Sequence, residues 1–317
     1  GFGESERFCY GEVCCGEIMM SRFFSEFWDE VKSLLTFLKN PHQNFNRTYS
    51  FFEKQKTITA LFLLEVAFTF LLVLPLTYFI NKVYHIRYID ELANFSILEI
   101  ILLGVFIIPF IEEIFFRLPL KYKRNYLFKF FDLFSKNRFF ERFWNSNYRF
   151  FFYFSVITFG LLHATNYDNK ITFSFIFVSF FITLSQLSGG MVMGYLRLKF
   201  GFIWGYIYHI IWNFVFLVGS YLLYHNTTII DFKTNDTTIK LDYLSAVDGQ
   251  TYISKNIKND TIYEFKITNS EFQYLLDEVA PEYHSDEVHL INLDIKSKKG
   301  VHRREVFKIL KHKIQID

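Results

Sequence analysis

From residue 19 onward the chain contains no cysteine, since Cys9, Cys14 and Cys15 all lie in the first 18 residues. The body can therefore form no disulfide, no cysteine-based zinc site and no thiol nucleophile. Charge is scarce too. Only 21% of the 317 residues are charged, and 34 basic against 32 acidic residues leave a net charge of +2. So even a balance gives no electrostatic reason to bind nucleic acid. No internal repeat is visible, which removes the usual sequence mark of a secondary transporter. Apolar and aromatic residues are what the chain has in quantity: 51% is hydrophobic, with 43 Phe, 20 Tyr and 4 Trp. That excludes a disordered chain, a collagen-like repeat and a coiled coil, and it points to lipid as the main solvent.

The apolar residues are unevenly placed. Residues 1–18 precede Met19 and Met20, where more ordinary sequence begins, and read as a cloning remnant or a misassigned start. In 19–56, Phe24, Phe27, Trp28, Val31, Leu34, Leu35 and Leu38 recur at helical spacing with Glu26, Asp29, Glu30 and Lys32 between them, up to Pro41. An amphipathic helix of this kind lies in a membrane interface or packs on a soluble body, and the sequence leaves both open. From 57 to 225 the runs reach the ~20 residues needed to cross hydrocarbon. Candidates are 57–80, interrupted by Glu65 and Pro75, then 96–120, a short 150–166, 171–196 and 202–224. The expected fold is mainly α: a polytopic helical membrane bundle of about five to six spans.

Loop charge sets the orientation. Residues 121–149 hold eight basic residues against Asp132 and Glu141, and Arg197 and Lys199 lie two loops further on. Both loops are read as cytoplasmic, so the N-terminus is inside and everything after Tyr224 outside, in a bacterial cytoplasmic membrane. The aromatics of 126–144 also place that basic loop on lipid headgroups.

The tail, 226–317, is different. Short β-favouring stretches at 227–232, 237–244, 251–257 and 261–268 alternate with Asn, Asp, Gly and Lys turn signals. A helix capped by Ser270 and Gln273 should follow and stop before Pro281, with 288–295 and 306–314 as further strands. This is a soluble α+β domain of ordinary size, with an extracytoplasmic partner as its expected role. His284, His289, His302 and His312 show no ligand-like spacing and read as scattered surface residues.

Ionisable side chains inside spans are costly and mark function. Glu112 and Glu113 are consecutive in the second span, about 100° apart on a helix, and Arg117 lies four residues after Glu113 and can pair with it. Glu112 is then left to face a cavity as a general base. The bland alternative is a helix end snorkelling toward the basic loop. Two histidines shift the weight: the third span ends Phe159-Gly160-Leu161-Leu162-His163, and the fifth holds His209 and Asn213 on one helix face.

Here the sequence resembles the CPBP intramembrane proteases, a family that includes the type II CAAX prenyl endopeptidases and bacterial bacteriocin-processing and immunity relatives. Its motifs Glu-Glu-x-x-x-Arg, Phe-x-x-x-His and His-x-x-x-Asn occur in order at 112–117, 159–163 and 209–213, and Gly190, Gly194, Arg197, Gly201 and Trp204 resemble its glycine-rich lead-in. Leu118-Pro119 departs from the glycine that many relatives carry after the Arg. The resemblance implies an intramembrane endopeptidase of glutamate type. Glu112 and His163 would activate water, His209 and Asn213 would hold the oxyanion, and Glu113 with Arg117 would be the supporting pair. The substrate would be a membrane-associated peptide or protein, with no cofactor. An older view makes Glu112, His163 and His209 zinc ligands; the chain has no His-Glu-x-x-His, and Asn213 suits an oxyanion better. A non-catalytic immunity or scaffolding protein is the rival outside enzymology. One mismatch stands: with straight helices at about 1.5 Å per residue, His163 falls roughly 14 Å from Glu112 in depth.

The other features have plainer readings. Gly190-x-x-x-Gly194 and Gly201-x-x-x-Gly205 are expected to be close-packing faces, and Glu65 and Gln186 to be buried hydrogen-bonded partners.

Overall fold

The computed structural model describes residues 12–87, 95–283 and 290–314, with side chains from residue 21. Its contacts divide the chain into two discontinuous units, one of residues 1–77, 113–162 and 180–208, the other of 78–112, 163–179 and 209–317. Most of the chain is helical, and a C-terminal antiparallel sheet follows.

Helix α1, Glu12–Lys39, continues through 12–18, while 1–11 lie outside the described residues. It buries Val31, Leu34 and Phe37 but exposes Phe24, Trp28 and Leu35. The helix therefore packs on the body through one apolar stripe and presents a second outward. Helix α2, Phe51–Val83, is 33 residues long and apolar enough to cross a membrane. Ser50 and Glu53 close its start as a reciprocal capping box. Tyr208 Oη donates to the buried Glu65 carboxylate, as expected, whereas Gln186 is only half-buried and accepts from its chain neighbour Ser185 (2.8 Å).

Helix α3 covers 97–117 and is not an α-helix throughout. Its windings change from α at Ile97–Glu99 to π at Ile100–Ile107, α at Ile108–Glu112 and π again at Glu113–Arg117. Proline explains the first change. Ile108 N–H bonds to Leu103 O, five residues back, so the next carbonyl, Gly104 O, faces Pro109, which has no N–H. After Arg117 the chain passes into a 3-10 turn, Leu118–Leu120. The carbonyls left without helical donors there are taken by side chains: Phe116 O by Ser155 (2.6 Å), Arg117 O by Arg197 (3.3 Å) and Leu120 O by Tyr148 (3.0 Å). That is how a leucine-proline pair ends this helix.

The basic segment folds into α4, Tyr126–Asp132, and α5, Phe139–Ser146, before α6, Tyr148–Leu162. Phe128, Trp144 and Phe151 join the three, with Trp144 stacked on Phe151 at 4.5 Å. Helices α7, Phe173–Ile182, and α8, Leu184–Phe200, meet at a 55° bend and qualify together as one broken span; α9, Phe202–Tyr224, qualifies alone. Among the described residues two helices, or three with the bent pair, are long and apolar enough to cross, fewer than the five to six expected. Helix α3 carries Glu112, Glu113 and Arg117, and the 15 residues of α6 rise only about 22 Å against hydrocarbon ~30 Å thick.

Glycine lets α6 and α8 approach closely. A Cβ at Gly160 would lie 2.4 Å from Leu187, at Gly190 3.3 Å from Phe159 and at Gly194 2.9 Å from Phe152. Gly201 differs from the expected packing role: no neighbour crowds it, and its φ of 106° makes it the turn between α8 and α9. Arg197 and Lys199 are likewise not loop charges. Arg197 is buried, and Lys199 bonds to Glu30 (3.1 Å) and Tyr195 (2.8 Å).

The sheet comprises β1 Thr227–Lys233, β2 Thr237–Leu244, β3 Tyr252–Lys258, β4 Thr261–Glu271 and β5 Leu290–His302, ordered β1-β2-β5-β4-β3 and antiparallel throughout. Alternation puts Ile239, Leu241, Phe265, Ile267, Leu293 and Ile295 on one face, covered by α10, Phe272–Val279, and α11, Arg303–Lys313. The opposite face carries Asp231, Lys240, Asp294 and Lys266 side by side across four strands. Two expectations fail here. Residues 306–313 are helical, because Val306 and Leu310 bury together at i,i+4 and His302 accepts the Arg304 N–H at the start. Ser270 is still in β4, so α10 starts at Phe272 without a side-chain cap. His284 and His289 lie outside the described residues.

Candidate active site

Glu112, His163, His209 and Asn213 fall in the same unit although they come from three separate stretches of chain. Glu112 ends the α-wound part of α3, His163 opens the 3-10 turn after α6, and His209 and Asn213 lie on α9. His163 Nε2 stands 3.8 Å from Glu112 Oε1, and His209 Nε2 stands 3.4 Å from Glu112 Oε2. The carboxylate and His163 keep about a fifth of their side-chain surface open, while His209 is nearly closed. The Glu112 carboxylate is thus partly open to a small polar reactant. The depth mismatch expected from straight helices is not found, since His163 and Glu112 approach to 3.8 Å.

Asn213 Nδ2 donates to Gly104 O at 2.8 Å, the carbonyl that Pro109 leaves without its backbone donor. One amide N–H is spent on this contact, and it fixes the side chain's orientation. The amide has a second N–H to give.

The two consecutive glutamates have opposite surroundings. Glu113 is fully buried, with Oε1 3.5 Å from Arg117 Nε, and that guanidinium lies 3.6 Å over the Phe159 ring. Phe159 is the phenylalanine of the Phe-x-x-x-His run, so its link to the first motif is contact with the arginine. Glu113, Arg117 and Phe159 all belong to the other unit. Arg197, read from sequence as a topology signal, holds the Arg117 carbonyl in that unit. Its place in the glycine-rich lead-in was the only clue to this role.

Imidazole, imidazole and carboxylate are chemically suited to catalytic zinc. As placed, though, each imidazole faces a different oxygen of Glu112, and no three such side chains converge to hold a metal among the described residues.

Residues 94–215 match the family described as type II CAAX prenyl endopeptidase, Rce1-like. The match spans all three motifs and stops short of the sheet. The resemblance seen in the sequence is thus matched over this segment, in a chain that also has helices long and apolar enough to cross a membrane. No curated protein and no solved structure matches the chain.

Proposed function

We propose that this chain is an intramembrane endopeptidase that hydrolyses a peptide bond in a membrane-associated protein or peptide, with Glu112 and His163 activating water. The observation that carries this reading is one partly open carboxylate placed between two imidazoles, inside a segment similar to a peptidase family. Glu112 takes a proton from a water bound beside His163. The hydroxide adds to the peptide carbonyl carbon, and the carbonyl oxygen becomes an oxyanion. His209 and the second Asn213 N–H donate to it, each such donor being worth about 3 to 4 kcal/mol in the transition state. Collapse of the intermediate breaks the C–N bond, and the proton passes from Glu112 to the leaving amine. Glu113 and Arg117, with Phe159, hold α3 in place without touching substrate. Five spans with a cytoplasmic N-terminus and an outer sheet domain complete the reading.

The test uses the purified protein in detergent with a panel of hydrophobic and prenylated peptides, with and without chelator. Glu112→Gln should lower cleavage by about 10²- to 10⁴-fold with an unchanged circular-dichroism spectrum, and chelator should leave the wild type active. Undiminished cleavage by a folded Glu112→Gln variant overturns the assignment. Activity lost to chelator and restored by zinc overturns the metal-free version.

A further inference from the structure

Away from the candidate active site, the basic segment encloses an open cavity of about 910 Å³ between residues 41–44 and 122–148. Five charged side chains line it: Lys123, Lys129, Arg138, Asp132 and Glu141. Both carboxylates are already engaged. Asp132 accepts from Tyr122, Ser135 Oγ (2.6 Å) and the backbone N–H groups of Phe140 (2.8 Å) and Glu141 (3.0 Å). Glu141 pairs with Arg138 at 3.4 Å. Lys123 and Lys129 form no ion pair among the described residues, so the cavity's uncommitted charge is positive.

The surroundings distinguish this cavity from an ordinary anion pocket. Phe130, Phe131, Leu133, Phe134 and Phe139 are all exposed, Leu133 and Phe134 by more than three quarters, and Leu133 itself lines the cavity. Solvated side chains of this kind form a costly apolar patch in water but a natural bed for acyl chains. We infer that this cavity is a binding site for an acidic phospholipid, with Lys123 and Lys129 holding the headgroup phosphate and the exposed rings and Leu133 lying against its chains. Asp132 keeps the site in shape. The αL conformation of Asn137 and Arg138 leaves α5 without an ordinary N-cap, and Asp132 supplies the missing acceptor from α4.

Native mass spectrometry of the full chain, released from detergent with phosphatidylglycerol or phosphatidylcholine of matched chains, tests the assignment. One phosphatidylglycerol should be retained at a concentration about tenfold below that needed for phosphatidylcholine. Lys123→Gln with Lys129→Gln should abolish the preference, and Lys123→Arg with Lys129→Arg should keep it. Equal retention of the two lipids, or a preference that survives the glutamine pair, overturns the site. Displacement of the lipid by millimolar inorganic phosphate overturns its assignment to lipid and leaves a free-anion site.

Discussion

The sheet domain and the helical body carry charge in opposite ways. In the sheet, Asp231, Lys240, Asp294 and Lys266 form a row on the face turned from the core, and pairs such as Lys240 with Asp242 (2.7 Å) and Lys296 with Asp294 (3.0 Å) keep most of the lysine exposed. In the helical body, Glu113 and Arg117 are at most 2% exposed. Water screens the first set, and removing a member costs little. The second set has lost its water, and its members depend on each other. A charge that persists in an apolar setting does so because its neighbours were built around it, as the ring of Phe159 and the small surface of Gly190 are built around Arg117.

Four substitutions press on that contrast. Arg117→Met should have the largest effect, destabilising the detergent-solubilised protein by about 3 to 5 kcal/mol because the buried Glu113 loses its ion pair with Arg117. Joining it to Glu113→Leu should recover most of the loss in thermal unfolding; no recovery would mean that Arg117 acts through Phe159 and not through the carboxylate. Asp132 lies between the two extremes. Burial opposes its ionisation, yet hydrogen bonds from Ser135, Tyr122 and two backbone N–H groups outweigh this and hold its carboxyl below the ordinary 3.8. Its contribution is complete above that value and fades as pH falls through the lower folded-state value. The melting temperature of Asp132→Asn should therefore trail the wild type at pH 7, and the gap should close on acidification; a gap that widens would contradict the hydrogen-bond account. Smallest of all is Lys240→Gln, expected to leave the melting temperature unresolved from wild type. A clear drop would show that the row across the sheet is coupled and not merely solvated.

Much of this architecture was legible beforehand because it rests on local chemistry. Four of the five strands start within a residue of expectation, since β-favouring runs ended by Asn, Asp and Gly have few other solutions. The pairing of Glu113 with Arg117 follows from a four-residue step on a helix. Residues 306–314 misled because Val306, Ile309 and Leu310 fit a loose alternation as well as a helical stripe, and only packing against the sheet core selects the helix. Arg197 misled for a related reason. A basic residue near the end of an apolar run reads as a loop charge, and its burial depends on where α3 ends.

By itself the sequence named the candidates for the proposed chemistry: a chain cysteine-free from residue 19 onward, with ionisable groups in three spaced motifs inside its apolar part, points to Glu112, His163, His209 and Asn213. Tertiary structure alone decided how they meet. Pro109 removes one backbone donor, α3 widens to accommodate it, and the carbonyl of Gly104 is left for Asn213 to bind. Glu112 lies within 3.8 Å of His163 and 3.4 Å of His209. Residue spacing along one chain cannot show this, because the distance between residues on different helices is set by how those helices pack.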